Sequence, residues 1–198
     1  MYSLFIKGFI ALFVVLLGAV FFWQPIKATF SGVSVTNDFV LQTADGALDT
    51  KSLRGKVLAI VFGYAHCDAP CSNHLAETAR AYDTLNAGER SQVRMILVSV
   101  DPERDTPAGI KEYASRIHPE MIGATGKPEE IKAVADAFAA DYQKYQPEGG
   151  GYAVAVRPLT YIVDAEGRFA SVLNEPLPVD KTAAALRARL PAMLPPGK

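Results

Sequence analysis

Cysteine and histidine are scarce in this sequence, which contains two cysteines and three histidines among 198 residues. Two cysteines are too few for the disulfide framework of a small secreted domain. Cys67 and Cys71, separated by three residues, are therefore expected to form a metal site or a redox pair rather than two inert buried thiols.

The sequence also lacks an excess of charge of either sign. Lys and Arg number 20 against 21 Asp and Glu, the net charge is −1, and no basic cluster occurs. Proteins that bind nucleic acid concentrate basic residues, so no nucleic-acid partner is expected. The length and a hydrophobic content of 49% with 21% charged residues indicate one globular domain with a lipid-facing segment.

The N-terminus is the one long apolar stretch. Residues 2–23 contain a single charged residue, Lys7, and are long enough to cross a bilayer as a helix, with Trp23 at the interface. We predict an uncleaved membrane anchor at residues 1–25 and a linker at 26–36; a cleaved signal peptide is the alternative, although no Ala-x-Ala-like site follows. Because disulfide chemistry needs an oxidising compartment, the domain is placed in the periplasm, on a single-pass protein of the bacterial inner membrane.

Residues 37–195 are predicted to form an α/β domain with a central sheet flanked by helices, because strand-like and helix-like segments alternate. The predicted strands are 57–62 and 93–100, a hairpin of 161–163 with 168–173, and a hairpin arm at 39–46; the predicted helices are 72–85, 106–117, 128–138 and 179–190. A mobile loop is expected at 147–151.

The cysteines follow the first long strand and precede a helix. The partial positive charge of a helix N-terminus favours a thiolate over a thiol, which raises the reactivity of a cysteine near neutral pH. Pro70 stiffens the loop between them. In such a loop, Cys67 is expected to be the more accessible thiol and Cys71 the more shielded one.

Three segments resemble signatures of the Sco (SenC-like) family of copper-site assembly proteins: FGYAHCDAPC at 62–71, VSVDPERDTP at 98–107 and HPEMIGATG at 118–126. The resemblance extends over residues 38–190. It implies a thioredoxin-like fold with a mixed sheet, copper as the bound metal, and a role in assembling cytochrome c oxidase or a related copper-containing respiratory oxidase.

The family resemblance also implies a third copper ligand, a histidine in a Tyr-x-Val-Asp-His segment. With Tyr152 and Tyr161 aligned, the Asp-His pair falls on Ala155 and Val156, so this donor is missing. Cys67 and Cys71 remain as copper ligands, and two thiolates suit Cu(I).

The sequence offers three histidines as replacement donors. His74 lies three residues after Cys71 and would share its helix face, which makes it a candidate third ligand; a surface histidine is the alternative. His66 precedes Cys67 as in the family, where it is not the usual ligand. His118 belongs to the His-Pro signature and is expected to bond a loop.

The segment PLTYIVD at 158–164 resembles the corresponding strand of membrane-anchored thioredoxin-like reductases, whose proline is cis and faces the cysteine pair. We therefore predict a cis Arg157–Pro158 bond, with Pro158 shaping a groove for an extended partner. An ordinary trans proline at the start of a strand is the alternative.

Two other sets of residues are predicted to have structural rather than functional roles. The sequence DPERD at 101–105 is read as a solvated turn and helix start rather than as the rim of a site. Tyr142 and Tyr145, in a chain with eight tyrosines, are predicted to pack.

The expected function is thiol–disulfide exchange, with Cys67 as the attacking thiolate, Cys71 as the resolving thiol and Pro158 as the groove former. The partner would be the copper-site subunit of a respiratory oxidase, or another copper chaperone, whose cysteines are kept reduced. The alternative is a metallochaperone that carries Cu(I) on Cys67 and Cys71. A thiol peroxidase on the same fold is disfavoured because the signatures belong to copper proteins.

Overall fold

The computed structural model describes residues 37–173 and 178–191. The predicted anchor at 1–25, the linker at 26–36 and the predicted domain end at 195 lie outside the described residues. Within the described ranges, no helix is both long enough and apolar enough to span a membrane.

Nine strands and five α-helices make up the described chain. The strands are β1 Val40–Thr43, β2 Gly46–Asp49, β3 Val57–Gly63, β4 Val93–Ser99, β5 Met121–Ala124, β6 Tyr142–Tyr145, β7 Ala153–Val156, β8 Thr160–Val163 and β9 Phe169–Leu173. The helices are α1 Ala69–Asp83, α2 Ala87–Ser91, α3 Pro107–Ile117, α4 Pro128–Ala137 and α5 Val179–Arg187, with a 3-10 turn at Thr50–Leu53.

The central sheet has five strands in the order β5-β4-β3-β8-β9. β3, β4 and β5 are parallel, whereas β8 and β9 run antiparallel to their neighbours. All seven residues of β3 are buried, as expected for a strand covered on both faces. The predicted mixed sheet is therefore confirmed.

Alternate residues of the strands enter two separate apolar clusters. Val57, Ala59 and Val61 of β3 pack with side chains of α1, α3 and α5, whereas the residues between them pack with α4, β1 and β7. Helices thus cover both faces of the sheet, because a continuous apolar strand must bury both of its sides.

Two hairpins lie outside the central sheet. β1 and β2 form the predicted arm, with a turn at residues 44 and 45 followed by Gly46, whose φ of +119° suits a glycine. β6 and β7 form a second hairpin, which was not predicted because its two strands are short and partly exposed. It carries the segment in which the family histidine was expected.

Candidate functional site

The two cysteines lie between the end of β3 and the first turn of α1. Their sulfur atoms are joined as a disulfide, with Cα atoms 5.7 Å apart. Cys71 is 1% exposed and Cys67 is half-buried, which confirms the predicted order of access. The first-turn N–H groups of α1 have no partner within the helix, so their partial positive charge lies beside the pair. Whether the cysteines act catalytically stays a prediction.

Gly63, the last residue of β3, lies directly against both sulfur atoms. A Cβ atom at this position would be 3.2 Å from Sγ of Cys71, 3.7 Å from Sγ of Cys67 and 3.1 Å from a methyl carbon of Leu97. A larger residue would therefore have to displace the disulfide or the core beneath it. Sequence reasoning did not single out this glycine.

His74 is held in a buried hydrogen-bond chain. Its Nε2 is 2.9 Å from the hydroxyl of Thr160, which is 3.1 Å from the hydroxyl of Thr78. Thr78 donates its only hydroxyl proton to the carbonyl of His74. Thr160 must then donate to Thr78, and the imidazole Nε2–H to Thr160. Burial lowers the pKa of His74, and the nearby carboxylate of Glu77 offsets part of that shift.

The alternative reading of His74 as a surface histidine is wrong, since the residue is 6% exposed. Its ring links α1 to β8. Among the described residues, no three His, Cys, Asp or Glu side chains are grouped so as to hold a metal ion. The role of His74 as a third copper ligand therefore receives no support from this geometry.

The predicted cis Arg157–Pro158 bond is wrong: the bond is trans. Pro158 comes two residues before β8, a position where a strand tolerates a trans proline because no ladder N–H is needed there. The β3–β8 register pairs Val61 with Thr160, so continuing it by two residues sets Pro158 in line with Gly63. The predicted role of Pro158 in facing the cysteine pair stays a prediction.

Val156 ends β7 and is half-buried. Its side chain packs against both apolar clusters, as the side chain of Cys67 does. An aliphatic residue therefore occupies the position where the family resemblance implies a metal donor.

The interpretation of residues 101–105 as a solvated turn is wrong for Asp101 and Asp105. Asp101 is 0% exposed, forms an ion pair with Arg104 and accepts a hydrogen bond of 2.7 Å from the hydroxyl of Tyr152. Glu103 is exposed and pairs with Lys144 at 2.8 Å. A carboxylate can be buried where donors from distant segments surround it, and such partners cannot be read from the local sequence.

Arg104 and two tyrosines connect the β6–β7 hairpin to the cysteine loop. The guanidinium lies 4.2 Å above the ring of Tyr152 and 5.7 Å from that of Tyr64, and it donates to the carbonyl of Tyr152 at 3.2 Å. Tyr64, three residues before Cys67, donates its hydroxyl to the carbonyl of Val154 at 3.0 Å. Burial and the bond to Asp101 raise the pKa of Tyr152 to about 12. We call Asp101, Arg104, Tyr152 and Tyr64 the tyrosine clamp.

His66 is exposed. His118 accepts from the N–H of Glu120 at 3.1 Å, which confirms its predicted loop contact. Tyr142 packs against the core, as predicted, but Tyr145 is 52% exposed, so its predicted packing is wrong.

A family model described as SCO1/SenC matches residues 28–191. This chain belongs to the SCO1/SenC family. Protein SCO1 homolog 1, a mitochondrial protein of Arabidopsis thaliana, is 35% identical over 148 residues, which cover 74% of this chain and 44% of that protein. The match thus spans less than half of that relative.

Solved structures of SCO1/SenC proteins share the fold. The crystal structure of Arabidopsis thaliana ScoI with copper bound is 33% identical, with a TM-score of 0.71, over 79% of this chain and 98% of that one. The structure of BsSco, a member of the Sco family of cytochrome c oxidase assembly proteins in which a disulfide switch is identified, is 27% identical, with a TM-score of 0.62, over 78% and 92%. These likenesses confirm the predicted thioredoxin-like α/β fold.

Proposed function

We propose that this SCO1/SenC protein assists the assembly of a copper-containing respiratory oxidase by thiol–disulfide exchange at Cys67 and Cys71. One observation carries the proposal: a disulfide of unequally accessible cysteines lies beside a helix N-terminus, and Val156 stands where a third metal donor would be. This site has the accessible cysteine and the second thiol that exchange needs, and it lacks the histidine of a Cys2His metal site.

The exchange uses the two thiols in sequence. In the reduced protein, the Cys67 thiolate attacks one sulfur of a client disulfide, forming a mixed disulfide and releasing one client cysteine as a thiolate. Cys71 loses its proton to solvent, attacks the Cys67 sulfur, releases the second client cysteine and closes the Cys67–Cys71 bond. Two electrons pass to the client, and a second dithiol protein must reduce the pair again.

The client would be the copper-site subunit of the oxidase, or another copper chaperone, whose cysteines must be reduced before they can bind metal. The membership of BsSco in a family of cytochrome c oxidase assembly proteins, and its disulfide switch, support this assignment. The proposal places the domain in the periplasm, attached to the bacterial inner membrane by residues 1–25.

The trans bond at Pro158 removes one argument for exchange that the sequence offered. Pro158 remains in the proposal as a groove-lining residue. Its support is the β3–β8 register, which, continued by two residues, sets Pro158 opposite Gly63.

Delivery of Cu(I) is the second candidate function. It is favoured by the copper-bound structure of Arabidopsis ScoI, which is 33% identical to this chain. The donors present fit this metal only after reduction, when Cys67 and Cys71 would supply two thiolates, a soft ligand pair that suits Cu(I). Copper would then be a cargo passed to the client.

A trapping experiment separates the two functions. Full-length Cys71→Ser protein in mild detergent is mixed with an oxidase copper-site domain whose two cysteines are joined as a disulfide. Exchange predicts a covalent complex on a non-reducing gel, and little complex with Cys67→Ser, because only Cys67 is accessible enough to attack. Equal loss of Cu(I) binding in both variants, with no trapped client, would instead establish the copper carrier.

A further inference from the structure

Asp105 is a buried carboxylate that contacts the loop carrying Cys67. It is 3% exposed, and its Oδ2 accepts a hydrogen bond of 2.9 Å from the backbone N–H of Ala65. Ala65 precedes Cys67 by two residues, which span at most about 7 Å of chain. The carboxylate therefore fixes the backbone immediately before the accessible cysteine.

Asp105 is also connected, through Ser99, to the strand residue that lies against the sulfur atoms. The hydroxyl of Ser99 donates to the same Oδ2 at 2.6 Å. Ser99 is the register partner of Gly63 in the β3–β4 pair, and Gly63 lies against both sulfurs. Asp105 is thus linked to the disulfide both along the loop and through the sheet.

The charge of Asp105 is less compensated than that of its neighbour Asp101. Asp101 forms an ion pair with Arg104. Within the part of the chain that the structure describes, no Lys or Arg pairs with Asp105, and its buried Oδ1 accepts no hydrogen bond. A buried charge without a counterion acts on its surroundings more strongly than an exposed one, because little water screens it.

We infer that Asp105 is a positioning residue of the Cys67–Cys71 pair: it holds the cysteine loop through Ala65, and its carboxylate, which pairs with no Lys or Arg of the described chain, favours the disulfide over the reduced pair. Reduction by two thiols brings two electrons and two protons: Cys71 keeps one proton as a thiol, the other passes to solvent, and Cys67 is left as a thiolate, whose negative charge a nearby anion opposes. This inference rests on the proposed exchange function and makes the reduced protein a stronger donor of electrons to its client.

The test is the equilibrium of the full-length protein in detergent with glutathione at pH 7. Two glutathione thiols reduce the Cys67–Cys71 bond, become one glutathione disulfide and leave two protein thiols, which are counted after alkylation. Asp105→Asn keeps an oxygen that can accept from Ala65 but removes the charge. It is expected to shift the equilibrium constant toward the reduced pair roughly tenfold, the effect of a unit charge about 10 Å away at an effective dielectric constant near 20.

Glu103→Gln is the matched control, since it removes one carboxylate from the same segment, at a side chain that is 55% exposed. Its equilibrium constant should stay within about twofold of the wild-type value, because solvent screens exposed charges. An Asp105→Asn value within that same range, or a shift toward the disulfide, would overturn the inference. A loss of fold stability alone, at an unchanged equilibrium constant, would show that Asp105 is only structural.

If Asp105→Asn does not fold, hydrogen exchange of the wild-type protein tests whether Asp105 holds the cysteine loop. The Ala65 amide should be protected by its bond to Asp105, whereas exchange at the rate of a free loop amide would overturn the inference. Neither measurement involves a client. Failure here therefore leaves the trapping experiment unaffected, and failure to trap a client leaves the measured effect of Asp105 on the thiol–disulfide equilibrium unchanged.

Discussion

Val156 occupies the position where the family resemblance implies a histidine ligand, so the candidate metal donors are the two sulfur atoms. Its aliphatic side chain packs on the same two clusters as Cys67 and supplies no lone pair. His74 does not replace this donor in the structure, since its Nε2 is hydrogen-bonded to Thr160. The metal chemistry expected of Cys67 and Cys71 therefore depends on one side chain of the β6–β7 hairpin, which is distant in sequence.

Val156→His should introduce the missing donor. The reduced wild-type protein is expected to bind Cu(I) without forming a stable, coloured Cu(II) thiolate complex, whereas the reduced variant should gain visible absorption on addition of Cu(II), because an imidazole added to two thiolates accommodates that ion. Absorption and electron paramagnetic resonance spectra measure the change. A stable coloured complex in the unaltered protein, abolished by His74→Ala, would instead make His74 the third ligand.

His74 should make the stability of the protein sensitive to mild acid. Burial lowers the pKa of His74 in the folded state below its ordinary value near 6.5, so the unfolded chain binds the proton more readily. The stabilising contribution is present above pH 6.5 and is lost as the pH falls from there through the lowered pKa.

Urea unfolding at pH 7.5 and pH 5 measures this effect. The free energy of unfolding should decrease less between the two pH values in His74→Asn than in the wild-type protein. His66→Asn, at an exposed position, serves as the control and should show the wild-type decrease. Identical decreases in all three proteins would contradict the assignment.

At the scale of elements, the β6–β7 hairpin pairs with no strand of the central sheet in the described structure and is held by side chains. The tyrosine clamp attaches it to the cysteine loop through hydrogen bonds, an ion pair and stacking of Arg104 on Tyr152. Because Val156 ends β7, the clamp also helps to fix the position of this residue.

Tyr152→Phe should destabilise the domain by about 1–3 kcal/mol, because it leaves buried Asp101 without one of its donors. Tyr145→Phe, the same change on the exposed β6 residue, should cost almost nothing. Chemical denaturation of both variants measures the difference. Equal stabilities would show that the hydroxyl of Tyr152 contributes nothing to holding the hairpin.

At the scale of the whole molecule, the cysteines lie where a parallel strand of the central sheet ends, with helices covering both faces behind them.

Full-length protein is predicted to sediment with membranes and to resist extraction by alkaline carbonate, because residues 2–23 are long enough to span a bilayer. The domain is predicted to face the periplasm, where a disulfide can persist. Protease added to spheroplasts should therefore digest it. A variant lacking residues 1–25, exported behind a cleavable signal, is the control and should be soluble. Recovery of the wild-type protein in the soluble fraction would contradict the anchor and favour a cleaved signal peptide.

The sequence alone determined the elements with strong patterns. The apolar runs of β3 and β4, the hairpin of β8 with β9, and four of the helices were predicted to within a few residues. A strand buried on both faces appears in the sequence as a continuous apolar run, and a helix with one buried face as a repeat of about 3.6 residues. The order of access of Cys67 and Cys71 also followed from their place before and inside a helix start. Short strands such as β5, β6 and β7 carry too few residues to show a period.

Tertiary structure alone decided the surroundings of the cysteines. The burial of Asp101 depends on Tyr152, 51 residues away, and that of Asp105 on Ala65, 40 residues away. The sequence DPERD reads equally well as a solvated turn, since the cost of burying a carboxylate depends on donors that only folding brings near. The trans bond at Pro158 could likewise not be derived from the local sequence, which restricts the isomer of a prolyl bond only weakly.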